Sequence, residues 1–206
     1  MVRVKKTVDY INDLCSSKKE EQQALGKVLR LKYEKWMETL ELKNFLDFNN
    51  AIMGNKEEIG VAQFFGKFRA YAFEEHVYRL LKVKIRPSWP LRLFWGEKCL
   101  VWSKDGKNYA MEFDVSMGRK INAFVDPVIV FDTKVELDSA RLKTAIASFA
   151  MLKLWKPKAK CVLVYITKEL DETLFELAKN WLDAAFQLNL ENNETEAFLG
   201  YVANCF

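Results

Sequence analysis

EFDVSMGRKINAFVDPVIVFDTKVEL, residues 112–137, is the stretch that decides the fold. Its beginning predicts a strand with Asp114 near the end. Residues 128–134 predict a second strand, an apolar run that closes on Asp132-x-Lys134. Charged side chains rarely lie beside buried strands unless they are paired or bind a metal. We therefore expect the chemistry of this protein at these two acids and this lysine.

The segment before Asp114 predicts a β-hairpin. Residues 99–102 and 109–115 have strand-like composition, and Asp105-Gly106 lies between them. This dipeptide suits the positive φ angles of a two-residue hairpin turn.

The segment after the hairpin predicts alternating elements. They are a turn over 118–122, a strand over 123–135, a helix over 139–156 that Asp138 or Ser139 caps, a buried strand over 161–166 and a last long helix over 171–186. A short helix is expected at the C-terminus. A helix between two strands normally makes a right-handed parallel connection. The prediction is an α/β protein with a mixed central sheet and helices on both faces.

The N-terminal part predicts helices. Residues 7–15 predict a short one, and Ser17-x-x-Glu20 has the form of a capping box that opens a longer one. Apolar residues recur at helical spacing along the second: Leu25, Leu29, Tyr33, Trp36 and Leu40. The phase shifts near Leu42, which predicts a bend or another helix before a loop over 49–55. These helices pack on their own core, or serve as a dimer contact or DNA clamp.

Composition sets broad limits on function. Of the 206 residues, 50% are hydrophobic and 14% aromatic, which suffices for a buried core. The net charge of +4 is compatible with nucleic acid, but many proteins with such a charge bind none. His76 is the single histidine, so a histidine-rich metal site is excluded, and we expect it on the surface.

The expected compartment is intracellular. Four scattered cysteines without a CxxC pair fit reduced thiols rather than a zinc site or a disulfide framework. No apolar run reaches membrane-spanning length, and the N-terminus lacks the apolar core of a signal peptide. We expect a soluble, cytoplasmic protein without a membrane partner.

Three motifs follow one another along the chain. The first is Glu74, in a predicted helix over 58–82, with apolar residues three, six and seven positions later. The second is Asp114, and the third is the Asp-x-Lys of 132–134, followed by a helix and a buried strand. This ordered set resembles the PD-(D/E)XK nuclease superfamily, whose fold many restriction endonucleases and archaeal Holliday-junction resolvases share. The absence of a proline before Asp114 is the one departure.

The resemblance implies a fold, a division into domains and a reaction. The fold is restriction-endonuclease-like, with a mixed central β-sheet flanked by helices over 58–206 and an N-terminal helical extension over 1–57. The reaction is metal-dependent hydrolysis of phosphodiester bonds in DNA. A homodimer is expected because cutting both strands of a duplex takes two sites.

The residue types suit that chemistry. Mg²⁺ and Mn²⁺ prefer oxygen ligands, which Asp114, Asp132 and the Thr133 carbonyl supply. Side chains alternate along a strand, so Asp-x-Lys places Lys134 on the same face as Asp132. There it can orient a water or stabilise developing negative charge. Glu74 is predicted to add a ligand, directly or through water.

Other assignments stay open. The Asp-x-Lys can be an ordinary ion pair on an exposed strand end. Glu75 competes with Glu74, and Asp126 with Asp114, although Asp-Pro is typical of a turn or a strand start. Arg141 and Lys143 are candidates for contacts to DNA phosphates, though helix charges are more often solvated.

Two functions therefore remain under consideration. The first is a DNA endonuclease or exonuclease acting on branched or duplex DNA. The alternative is a non-catalytic nucleic-acid-binding or assembly protein with the same fold. A helical partner-binding protein without a nucleic-acid role is a third hypothesis.

Overall fold

The computed structural model describes residues 6–205. The chain divides into two units, one on each side of the bond between Arg79 and Leu80. The first is helical, and the second contains the sheet. The division predicted from the sequence, 1–57 and 58–206, stays a prediction.

Helices build the first unit, and the last of them runs past its boundary. They are α1 (Thr7–Cys15), α2 (Glu20–Thr39), α3 (Leu42–Gly54), α4 (Lys56–Ile59) and α5 (Ala62–Lys84). The apolar stripe predicted on α2 is largely buried, and Trp36 is fully enclosed. Its ring stacks on Phe48 of α3, with centroids 5.4 Å apart. The aromatic core of this unit is therefore built by helix packing.

The predicted capping box at Ser17 is wrong. Helix α2 begins at Glu20, and Lys19 is its N-cap. The Ser17 hydroxyl accepts from the Lys19 N–H at 3.2 Å and donates to Gln22 Oε1 at 2.5 Å. Its hydrogen bonds therefore hold the connection between α1 and α2, and the helix starts later than the motif predicts.

The predicted loop over 49–55 is also wrong, because α3 continues to Gly54. Phe48 and Ile52 are fully buried on this helix. Packing of that face outweighs the low helix propensity of Asn49, whose side chain accepts from Arg69 Nε at 3.4 Å.

The surface position predicted for His76 is wrong as well. The residue is 1% exposed. Trp36 Nε1 donates to its Nδ1 at 3.0 Å, and its ring stacks on Phe45 with centroids 4.5 Å apart. Burial lowers the pKa of His76 to about 3, so the imidazole is neutral at physiological pH.

The second unit is built on a seven-stranded sheet within the described residues. Its elements are β1 (Arg92–Trp95), β2 (Lys98–Lys104), β3 (Lys107–Glu112), β4 (Val115–Ile121), β5 (Phe124–Asp138), α6 (Ser139–Trp155), β6 (Lys160–Glu169), α7 (Glu172–Ala178), β7 (Ala184–Gln187) and α8 (Thr195–Ala203). Antiparallel and parallel pairs both occur, so the predicted mixed α/β class is confirmed.

Strand β5 is the centre of this sheet. β4 pairs with it antiparallel on one edge, while β2 and then β6 pair with it parallel on the other. Helix α6 connects β5 to β6, and its residues Phe149 and Leu152 are fully buried. The predicted N-cap is confirmed, since the Asp138 side chain accepts from the Arg141 N–H at 2.8 Å. The predicted hairpin over β2 and β3 is confirmed too.

The turn predicted over 118–122 is wrong, because β4 covers most of it. Gly118 is not a turn residue here. It lies at a register shift against β5, where a Cβ would collide with the Asp126 carbonyl oxygen. Glycine is therefore needed for the close approach of two strands.

The long helix predicted over 171–186 is wrong. Helix α7 ends at Ala178, and β7 follows and pairs parallel with β6. Asp183, just before β7, accepts from the Cys161 N–H at 2.8 Å. Strand pairing and this anchor outweigh the helical spacing of the apolar residues. Strand β1 was not predicted, whereas α8 matches the expected C-terminal helix.

Among residues 6–205, no helix is both long and apolar enough to cross a membrane.

Candidate active site

The connection from β3 to β4 brings the first predicted acid to the second. Asp114 lies in this connection, next to Val115, which pairs with Phe131 of β5. The same register, continued by one residue, places Asp114 beside Asp132. The predicted strand over 109–115 is interrupted here, and Gly96 N–H donates to the Asp114 carbonyl at 3.0 Å.

Asp114 is held by Thr133. One carboxylate oxygen, Oδ2, accepts from the Thr133 N–H at 2.7 Å and from its hydroxyl at 3.0 Å. Thr133 is 6% exposed, so this contact is shielded from water. Two bonds to one oxygen fix the orientation of the carboxylate. Within the described part of the chain, Oδ1 of Asp114 accepts no hydrogen bond, which leaves it available to a ligand.

Asp132 and Lys134 point to the same face of β5, as strand alternation requires. Lys134 Nζ forms an ion pair with Asp132 Oδ1, and the two side chains are only 20% and 14% exposed. The ammonium group also donates to the Thr133 carbonyl at 3.3 Å. The pair is thus largely enclosed, unlike the exposed strand-end pair that the sequence left open.

Burial and the nearby Asp114 carboxylate raise the pKa of Asp132 to about 6, and Lys134 opposes them. Ionised Asp132 is therefore held in a place that disfavours its charge. Two carboxylates and one ammonium leave a net charge of −1 at neutral pH. A cation at this point would relieve the repulsion between the acids.

The donor set suits a hard divalent cation. Two carboxylates, a threonine hydroxyl and a carbonyl are oxygen donors of the kind that Mg²⁺ and Mn²⁺ prefer. Within residues 6–205, no group of three or more histidine, cysteine, aspartate or glutamate side chains forms a metal cage. Mg²⁺ needs no such cage, since it commonly binds through one or two carboxylates and completes its shell with waters and substrate phosphates.

The predicted helix glutamate lies in the first unit. Glu74 is half-buried on α5. Burial raises the pKa of Tyr10 to about 12, and Glu74 contributes to that rise together with other acidic groups. Its role as a metal ligand stays a prediction.

The competing glutamate, Glu75, forms its hydrogen bonds within the first unit. Glu75 is fully buried, and its Oε1 accepts from Arg79 Nε at 2.7 Å and from the Tyr33 hydroxyl at 3.0 Å. These bonds make Glu75 part of the helical core.

The competing aspartate lies away from the site. Asp126 is the third residue of β5, six residues before Asp132, and forms an ion pair with Lys156 at 2.5 Å. The strand-start position expected for Asp126-Pro127 is thereby confirmed.

The two candidates for phosphate contacts lie in the first turns of α6. Arg141 donates to the Glu136 carbonyl at 3.0 Å and pairs with the carboxylates of Glu136 and Asp138 at 3.4 and 3.2 Å. Lys143 is exposed. Their contacts to DNA stay predictions.

Two features of the site were not anticipated from the sequence. The Thr133 hydroxyl was not assigned a role, and Glu136 was not singled out although it continues the alternation of Asp132 and Lys134. The sequence signal for Glu136 is the D-T-K-V-E pattern, which places three charged side chains on one face. Nothing local signals the contact of Thr133, since it depends on the register of β4 against β5.

Comparison with known proteins supports the fold. No protein-family model matches the sequence, and no curated protein matches it. Among solved structures, the chain is similar to a chain of the native BbvCI A2B2 tetramer, with a TM-score of 0.53 and 11% sequence identity. The similarity covers 91% of this chain and 83% of the other. At such low identity it shows the fold alone, and that fold is restriction-endonuclease-like.

Proposed function

We propose that this protein is a metal-dependent nuclease that hydrolyses phosphodiester bonds in DNA. The observation that carries the proposal is the convergence of Asp114, Asp132 and Lys134 at the centre of the sheet. It is supported by the fold shared with BbvCI, a restriction endonuclease. Membership of the PD-(D/E)XK superfamily is part of the same proposal.

Each residue has a role in this proposal. Asp114 and Asp132 hold Mg²⁺ or Mn²⁺, with the Thr133 carbonyl as a further oxygen donor, and Thr133 keeps Asp114 in one orientation. A bound divalent cation supplies positive charge to the scissile phosphate and makes a water easier to ionise. Lys134 orients the attacking water or stabilises the negative charge that develops on the phosphate.

The assembly that we propose is a homodimer. A duplex has two strands, and each copy of this chain offers one such constellation in the described residues. The structural neighbour is an A2B2 tetramer, which agrees with a multi-subunit protein.

One observation favours the alternative function. Asp132 and Lys134 already neutralise each other in an enclosed ion pair. A non-catalytic nucleic-acid-binding protein with this fold would need no metal, and such a pair would be structural.

A cleavage panel decides between the two. Single-stranded, duplex and four-way-junction DNA are incubated with Mg²⁺, Mn²⁺ or EDTA, for the wild type, Asp132→Asn and Lys134→Met. Asp183→Asn serves as the matched control, since Asp183 is also an enclosed carboxylate with lysine partners but lies just before β7. We expect metal-dependent cutting by the wild type and the control, and losses of at least about a hundredfold in the two site variants. Cutting that survives Asp132→Asn contradicts the site assignment.

Metal binding is tested without activity. Mg²⁺ that binds the folded chain raises its melting temperature in proportion to RT ln(1 + [Mg²⁺]/Kd). We expect a rise for the wild type and none for Asp114→Asn combined with Asp132→Asn. DNA binding that is indifferent to Mg²⁺ and to these changes supports the non-catalytic alternative.

A further inference from the structure

Two grooves lie side by side where α6 ends, away from the candidate active site. One has a volume of about 330 Å³ and is lined by Trp102, Lys104, Trp155 and Lys156, among others. The next has a volume of about 340 Å³ and includes Trp155 and Lys158. Trp155 therefore forms a wall of both grooves. It is 55% exposed, a large apolar surface open to a partner.

The hairpin beside these grooves carries two aromatic residues, Trp102 and Tyr109. Trp102 meets Trp155 edge to face, with ring centroids 6.1 Å apart. Across the hairpin, Trp102 pairs with Tyr109. Directly opposed residues of an antiparallel pair project from the same face, so Tyr109 lies next to Trp102 on this side. Tyr109 is 46% exposed. Tyr109 thus adds a third aromatic ring on the side of the hairpin where Trp102 lies.

The same hairpin face continues as a pair of lysines. Lys104 lies directly opposite Lys107 at the end of the hairpin, next to the Asp105-Gly106 turn. Like charges in this arrangement are destabilising. Of the lysines on this surface, Lys156 is paired with Asp126. In the part of the chain that the structure describes, Lys104, Lys107 and Lys158 are in no ion pair. An anion bound between them would relieve their repulsion.

We propose that this surface, formed by Trp102, Lys104, Lys107, Tyr109, Trp155 and Lys158, binds single-stranded nucleic acid. Bases stack on Trp155 and on the Trp102–Tyr109 pair, and the lysines contact the phosphates. Aromatic side chains combined with basic groups are the features by which proteins bind single strands without reading their sequence.

The arrangement favours a single strand over a duplex. In a duplex each base is covered on both faces by its neighbours, so its ring cannot stack on an exposed tryptophan. An acidic peptide could satisfy the lysines. An acidic peptide without aromatic residues would not supply flat rings for three aromatic groups.

This site is distinct from the candidate active site. Asp126, which lines the second groove, is six residues before Asp132 on β5. A strand rises about 3.3 Å per residue, so the two sites are roughly 20 Å apart along the strand. The proposal does not depend on the nuclease function, and it is tested in EDTA, where no metal-dependent cleavage occurs.

The experiment measures binding of the full chain to fluorescently labelled dodecamers by anisotropy. The probes are oligothymidylate, oligouridylate and a mixed-sequence duplex, each in low salt with EDTA. We expect the single strands to bind more tightly than the duplex, and comparison of the first two separates DNA from RNA. Trp155→Ala should weaken single-strand binding by roughly tenfold or more, whereas Trp155→Phe, which keeps a ring, should weaken it far less.

A matched variant separates this surface from general effects of tryptophan loss. Trp181 is 45% exposed but lines a different groove, with Met151 and Leu154. Trp181→Ala should leave binding unchanged. Lys104→Ala with Lys107→Ala should lower the slope of log K against log salt by about 1.4, because each single-strand phosphate contact contributes about 0.7.

Three outcomes overturn the proposal. One is an absence of single-strand binding at low salt by a protein whose circular dichroism shows that it is folded. Another is equal binding of single strands and duplex that Trp155→Ala leaves unchanged. The third is binding of polyglutamate in preference to the oligonucleotides, which assigns the surface to an acidic protein partner.

Discussion

Thr133 donates two hydrogen bonds to the same oxygen of Asp114, from its N–H at 2.7 Å and from its hydroxyl at 3.0 Å. Thr133 lies between Asp132 and Lys134 on β5, whereas Asp114 precedes β4. The three charged side chains are thereby tied together through one enclosed threonine. The position of Asp114 depends on a residue that carries no charge.

Thr133→Val removes the hydroxyl and keeps the N–H bond. A lost hydrogen bond of this kind costs about 1 kcal/mol of the free energy of unfolding, or more because Asp114 is charged. Groups that orient a metal ligand typically change metal affinity by about 10- to 100-fold. We therefore expect weaker Mg²⁺ stabilisation and slower cleavage, measured by urea unfolding and by the cleavage assay.

Thr133→Ser is the control, since it retains the donor. Values close to the wild type are expected for Mg²⁺ stabilisation and cleavage. If the valine and serine variants lose equal activity, the hydroxyl does not position Asp114.

Asp132→Asn should stabilise the fold at neutral pH in EDTA. The folded pKa of Asp132 is raised to about 6 by burial and by Asp114, above its ordinary 3.8. Between these values the folded state binds more protons than the unfolded state, so stability falls as pH rises. An uncharged amide escapes that loss, and Lys134, the more exposed of the two side chains, keeps its hydrogen bond to the Thr133 carbonyl. The gain should be on the order of 1–3 kcal/mol at pH near 7.5 and should disappear near pH 4.

Asp183→Asn is a control of opposite sign. Burial alone would raise the pKa of Asp183, but hydrogen bonds from Lys153 and from the Cys161 N–H outweigh it and lower that pKa. Its ionised form is therefore favoured by folding, and the variant should lose stability at neutral pH. Chemical denaturation of both variants at a series of pH values measures their free energies of unfolding and tests the two opposite expectations. Destabilisation by Asp132→Asn at neutral pH contradicts the first expectation.

Lys134→Met leaves Asp132 without its cation. Since Lys134 lowers the pKa of Asp132, its removal should raise that pKa further. Its removal leaves the charge of the more enclosed Asp132 uncompensated, and we expect a loss of about 1–3 kcal/mol near pH 7.5. Near pH 5 Asp132 is largely protonated, so the loss should be smaller.

Thermal unfolding at the two pH values measures the effect of Lys134→Met. Added Mg²⁺ should recover part of the stability at pH 7.5, since a divalent cation replaces the ammonium as the partner of Asp132. A loss of equal size at both pH values, without recovery by Mg²⁺, shows that the lysine contributes by packing its methylene groups instead.

The candidate site could be predicted from the sequence where local rules govern it. Strand alternation is independent of context, so Asp132 and Lys134 were expected on one face of β5, and they lie there. The long apolar runs of β5, α6 and β6 also carry strong local signals. Their parallel connection follows from general rules of chain topology.

The remaining strands depend on tertiary pairing. β4 contains Gly118-Arg119-Lys120, which is typical of a turn, but it becomes a strand because β1 and β5 pair with it on both sides. The segment of β7 has apolar residues at helical spacing, but it forms a strand because it pairs with β6. The Thr133–Asp114 bonds arise from the same register, so no sequence pattern contains them.

His76 should make the fold sensitive to acid, in the opposite sense to Asp132. Burial lowers its folded pKa to about 3, against an ordinary value of 6.5. Between these values the unfolded state binds more protons, so stability is complete above about pH 6.5 and is lost as pH falls. From pH 6.5 to pH 5 this amounts to roughly 2 kcal/mol. His76→Asn does not titrate, and its amide oxygen can still accept from Trp36 Nε1.

The informative quantity is the difference in unfolding free energy between wild type and His76→Asn as a function of pH. The variant should be less stable at pH 7.5, because the smaller side chain leaves a cavity beside Phe45. That deficit should shrink as the pH is lowered toward 5, since only the wild type must keep an imidazole neutral. A deficit that stays constant with pH means that His76 takes up its proton as readily in the folded as in the unfolded state, which contradicts its role as the neutral acceptor for Trp36.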